Sequence, residues 1–220
     1  MKRFTSWDGP LLTVISKIGQ ILIINFFFLI GCIPVFTIGT SAAAMYYTIV
    51  KTVRAESGSG PSEFWKAYVR FLLPGILLTV VTGLWSALLI MSLYFRGAEG
   101  KQVGLALLPA YLIAGILLVA LMMYGCPVIS RFHVPLKRYL SIVYTLAFRQ
   151  LHFTVILAVA FGLMMWALWI NPIWLLVLPG VYCYLGSFLT ESGLRLYLPP
   201  CPDPERHEWY YDLWVGPEKK

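Results

Sequence analysis

None of the 17 basic or 10 acidic side chains in this 220-residue chain falls inside its long apolar runs, at 18–36, 38–50, 71–95, 103–128, 151–170 and 173–190. Charged groups within a bilayer mark ion pathways, proton relays and ligand counter-ions, so their absence from the runs argues against ion coupling and intramembrane catalysis. Cysteine is sparse, and Cys32, Cys126, Cys183 and Cys201 show no paired spacing, which suggests neither a disulfide framework nor a zinc site and reads as single buried thiols. Neither His133, His152 nor His207 is spaced with a second histidine, a cysteine or a carboxylate as in a helical zinc motif. Gly58-Ser59-Gly60 lacks the following Gly-Lys-Ser/Thr of a phosphate loop and reads as a turn. The expectation is a protein without cofactor or metal, and not an enzyme.

What the chain does have is apolar surface. Hydrophobic residues make up 59% and charged residues 12% of the sequence, and mean hydropathy is +0.76, far outside the range of a soluble domain. The class expected is all-α: a polytopic transmembrane bundle at 1–198 with a cytoplasmic tail at 199–220 rich in proline and aromatic residues. In that tail Trp209, Tyr210, Tyr211, Leu213 and Trp214 follow four prolines and could dock on the domain's own cytoplasmic face, bind a partner or rest on lipid, in that order of expectation. The net charge of +7 is spread over several loops instead of one stripe, so no nucleic acid is implied. The first 44 residues imitate a secretory signal, but an apolar run of 19 residues is long for a signal core, and the segment reads as mature structure.

The doubtful crossing is 38–50, which hydropathy alone leaves free to cross, re-enter or lie flat. With five spans the 17 Lys and Arg divide 5 against 12 across the membrane; with six they divide 15 against 2, only Arg96 and Lys101 lying opposite. Basic residues concentrate in cytoplasmic loops, so six spans are expected, the second one short, with both termini cytoplasmic and the bilayer as the immediate partner. Gly39, Ser41 and Ala44 let a short, buried helix approach its neighbours closely. Pro34, just before Thr37, favours a tight turn between the first two helices, and Asn171-Pro172 one between the last two. Asn25, mid-span in the first helix, is costly in hydrocarbon unless it makes a hydrogen bond to another helix.

Two cytoplasmic segments separate their faces at a helical period. Glu63, Lys66 and Arg70 oppose Phe64, Trp65, Tyr68 and Phe71; farther on, Arg138, Ser141, Thr145 and Arg149 oppose Leu136, Leu140, Val143 and Ala147. Both read as interfacial elbow helices. Lys66, Arg70, Arg138 and Arg149 are the candidate residues for docking a cytoplasmic partner, while Trp166, Trp169 and Trp174 read as an interfacial belt.

Asn25, Pro34, Thr37, Ile38, Gly39 and Ala44, followed by Tyr46 and Tyr47, resemble the YesL-like family of bacterial membrane proteins, and Phe64, Trp65 and Tyr68 are similar to its aromatic elbow. The family has no established biochemical activity, but its genes commonly lie beside those of carbohydrate ABC importers. The resemblance therefore implies an accessory subunit in a bacterial cell membrane, beside importer permease subunits. Segment 131–149 lacks acidic residues and any Glu-Ala-Ala loop, which argues against the ATPase-coupled permease itself. A stand-alone facilitative transporter without ion coupling is the alternative.

Overall fold

The computed structural model describes residues 10–98, 108–132 and 136–194, so the tail at 199–220, Cys201, His133 and His207 lie outside the described residues. Within them the chain is helical without strands: α1 (Pro10–Gly31), α2 (Ile38–Thr48) continuing into a π-helical turn (Ile49–Arg54), α3 (Gly60–Arg70), α4 (Leu72–Ala98), α5 (Leu108–Arg131), α6 (Leu136–Arg149), α7 (Leu151–Ile170) and α8 (Leu178–Leu194). Three stretches, Leu72–Phe95, Pro109–Arg131 and Leu151–Ile170, are long and apolar enough to cross a membrane. The first, second and last runs give shorter or divided helices. Run 18–36 ends as helix at Gly31, and run 173–190 is split into a 3-10 turn (Pro172–Leu176) and α8.

The α1–α2 turn follows from Pro34, which has no N–H to donate. Thr37 Oγ1 donates to the carbonyls of Gly31 at 2.9 Å and Pro34 at 2.7 Å, so groups freed by the end of α1 are satisfied locally. At the other turn the Asn171 side chain accepts from the Ile173 N–H at 3.0 Å, capping the segment that begins at Pro172. Between the π-helical turn and α3, Glu56 and Gly58 both adopt positive φ, and Pro61 starts α3 where its missing N–H costs nothing.

The short second helix occupies the centre. It packs against α1, α3, α4, α5 and α8, and Gly39, Thr40, Ser41, Ala43, Ala44, Met45, Tyr46 and Thr48 are all buried. Its small residues make this possible. A Cβ on Gly39 would lie 2.6 Å from the Gly75 carbonyl oxygen, and one on Gly75 would collide with the Thr40 backbone. Hydrogen bonds tie α2 to both neighbours: to α4 the Gly39 N–H donates to Thr79 Oγ1 at 2.8 Å and Thr40 Oγ1 to the Leu72 carbonyl at 3.2 Å, and to α1 Ser41 Oγ donates to the Phe28 carbonyl at 2.8 Å. Where lipid supplies no hydrophobic drive, close packing and such bonds are what hold helices together.

The chain returns along α1, because Lys17 Nζ meets Glu56 Oε1 at 3.0 Å. Asn25, fully buried in α1, donates to the Leu175 carbonyl at 3.0 Å and joins the first helix to the last turn. Its Oδ1 finds no acceptor role among the described residues. The two elbows separate as their sequences indicate, with one departure. Val143, Leu146 and Ala147 are buried beneath α6 while Arg138 and Arg149 are exposed; Phe64, Ala67 and Phe71 are buried beneath α3, but Trp65 on the same apolar side is 43% exposed, edge-on to Phe27.

Candidate functional site

Four helical segments converge on a charge cluster that the apolar runs stop just short of. Run 173–190 ends at Thr190, yet α8 continues to Leu194 and carries Glu191 into the interior at 1% exposure. Arg131, the last residue of α5, donates from Nη2 to Glu191 Oε1 at 2.7 Å and from Nε at 3.3 Å; the two side chains are 1% and 2% exposed. From α2, Tyr46 Oη donates to the same carboxylate oxygen at 3.0 Å and lies 2.8 Å from Thr190 Oγ1. From the π-helical turn, Arg54 Nη1 donates to Ser187 at its carbonyl (2.9 Å) and Oγ (3.2 Å), while its guanidinium stacks on Phe188 at 4.1 Å.

The apolar runs contain no charge, but the helices that grow from them do, because a carboxylate at a helix end can be buried if cations and hydroxyls satisfy it. Chemically the cluster is a clamp joining α2, α5 and α8. The carboxylate is held by a guanidinium and a phenol, and no group of three or more His, Cys, Asp or Glu among the described residues could hold a metal ion.

Above the clamp a cavity of about 330 Å³ opens between α2, α4, α5, α7 and α8. Tyr46 and Thr190 reach it from the clamp, and Met123, Cys126, Tyr182 and Cys183 line its wall. Its lining is apolar apart from a few hydroxyls and thiols, and Tyr182 Oη is already engaged with Met123 Sδ at 2.8 Å. This space suits an apolar occupant better than a sugar, which would need several donors and acceptors.

A second, polar cavity of about 390 Å³ lies between the π-helical turn and α3, lined by Tyr47, Lys51, Glu63, Lys66, Ala67 and Arg70. Lys51 and Arg54, three residues apart on the π-helical turn, reach opposite neighbours, since Lys51 Nζ bonds Glu63 Oε2 at 2.6 Å. That bond holds the Glu63 carboxyl below the usual carboxylate range against the pull of burial. Of the four docking candidates, the structure brings Lys66 and Arg70 together here, whereas Arg138 and Arg149 stand on the exposed face of α6 outside this cavity. Sequence reasoning missed Tyr46, Arg54, Arg131 and Glu191 as a unit; the available signal was a lone carboxylate one residue past an apolar run.

An all-helical fold with three helices able to cross a membrane defines the class: a helical membrane protein. Residues 21–93 match the family described as "Protein of unknown function, DUF624". The match spans the α1–α2 turn, the α2–α4 crossing and the α3 elbow, and leaves out α5 to α8 with Arg131 and Glu191. No curated protein and no solved structure matches the chain.

Proposed function

We propose that this chain is a non-catalytic accessory membrane subunit of six crossings with its basic end in the cytoplasm, packing beside the permease helices of a carbohydrate ABC importer. The observation that carries the packing role is α7. It has one buried residue, Leu157, and exposes Val155, Ile156, Val159, Leu163, Trp166 and Trp169. Such a helix offers apolar surface to lipid and to a neighbouring helix alike. Six crossings are supported by the ion pairs at one end, Lys17 with Glu56 and Arg131 with Glu191, which bring both ends of α1–α2 and of α5–α8 to the same level. The importer enters only from the family resemblance, through the genes that commonly lie beside those of that family.

Full-length protein extracted from its native membranes in mild detergent is expected to retain importer permease subunits, identified by mass spectrometry. Recovery of the intact chain alone would count against the accessory role. One other reading is a facilitative transporter without ion coupling; the cavity beside Tyr46 offers it an internal space, although the lining suits an apolar solute better than a sugar. Sugar flux into proteoliposomes holding only this chain would favour that reading over the accessory one.

A further inference from the structure

The polar cavity is lined by the end of α3, from which the chain passes directly into the exposed first turns of α4. Three cations, Lys51, Lys66 and Arg70, face a single carboxylate, Glu63. Lys51 is committed to Glu63 at 2.6 Å, and Lys66 lies 3.6 Å from the other oxygen of the same group. Lys66 is 71% exposed, and Arg70, one helical turn farther on, makes no ion pair among the described residues. The cavity thus has cationic capacity beyond what Glu63 neutralises, which suits a phosphate group.

Three residues beyond Arg70 an apolar stripe begins on α4. Leu73, Leu77, Val80 and Leu84 recur at four-, three- and four-residue spacing and are 80%, 46%, 51% and 61% exposed. From Leu73 to Leu84 the stripe runs roughly 16 Å at 1.5 Å per residue, about half the hydrocarbon thickness of a bilayer. A phosphate site with an apolar track of one leaflet's depth leading away from it has the layout of a single lipid molecule.

We propose that the Lys51–Lys66–Arg70 cavity binds the headgroup phosphate of an anionic phospholipid whose acyl chain lies along the Leu73–Leu84 stripe of α4. Free phosphate shares the headgroup chemistry but has no use for the stripe. The proposal rests on the membrane reading above and is independent of the importer.

The test titrates the full chain in mild detergent with short-chain phosphatidylglycerol, short-chain phosphatidylcholine and inorganic phosphate, counting bound ligand by native mass spectrometry. Phosphatidylglycerol is expected to bind at least about tenfold tighter than phosphatidylcholine and to resist displacement by equimolar phosphate. Lys66→Gln with Arg70→Gln, two exposed positions, is expected to weaken it about 25-fold, from about fivefold per cation near a membrane surface. Lys137→Gln with Arg138→Gln, exposed on α6, serves as the control and is expected to change binding less than about twofold, since neither residue lines the cavity. Equal affinity for the two lipids, or an equal loss in the α6 variant, overturns the site. Displacement by phosphate overturns the lipid as its occupant. Carbonate-washed membranes read the underlying assumption separately: retention of both variants in the pellet leaves the membrane reading standing whatever the titration shows.

Discussion

The helices α2 and α7 invert the ranking that hydropathy gives them. The 20 residues of α7 are apolar apart from His152 and Thr154 in its first turn and contain one buried position, whereas eight of the 11 residues of α2 are buried and include threonine, serine and tyrosine. In water the more apolar helix would be the core. In this chain the apolar helix faces outwards and the small, hydroxyl-rich one is the hub, because burial in a membrane protein follows what packs closely and hydrogen-bonds internally. Hydropathy therefore reports contact with lipid, and small residues report the interior.

The largest expected effect lies where α2 meets the charge cluster. Arg131→Ala leaves Glu191 and the Tyr46 hydroxyl in the interior without their guanidinium, and the expected loss of stability is about 3–5 kcal/mol. Thermal unfolding in detergent measures it, and pairing Arg131→Leu with Glu191→Leu should recover much of the loss. Full stability of the single variant would break the contrast, since the centre would then need no polar clamp.

Next comes the α2–α4 crossing. Gly75→Val drives a branched side chain into the Thr40 backbone, and about 3 kcal/mol is expected in the same measurement, at the upper end for overpacking. The smallest effect belongs to α7. Val159→Ala at a 57% exposed position should leave the unfolding midpoint of the isolated chain unchanged to within about 0.5 kcal/mol. A loss as large as that at Gly75 would mean that α7 is core after all.

Much of this arrangement was legible in the sequence, for physical reasons that differ by residue. Pro34 and Asn171-Pro172 mark turns because they constrain the backbone locally, and Glu63, Lys66 and Arg70 mark an elbow because helical periodicity is local too. Asn25 was readable as an interhelical donor from the cost of an unpaired amide in hydrocarbon, though its acceptor, the Leu175 carbonyl, lies 150 positions away. The Arg131–Glu191 pair was hidden. Each residue sits at the end of an apolar run, where a charge looks like the start of a loop, and 60 positions separate them. The π-helical turn at Ile49–Arg54 was hidden as well, since its sequence reads as the end of an ordinary helix.

The proposed six crossings require the chain from Ile38 to Arg54 to carry α2 back across the bilayer. It is tested most directly by thiol accessibility in intact cells, in a background lacking the four native cysteines. Ile33→Cys, at a 77% exposed position in the α1–α2 turn, and Glu56→Cys, at the end paired with Lys17, are each labelled with a membrane-impermeant reagent. The account expects Ile33→Cys to label from outside and Glu56→Cys to label only after the membrane is permeabilised. Labelling of both from the same side would contradict it.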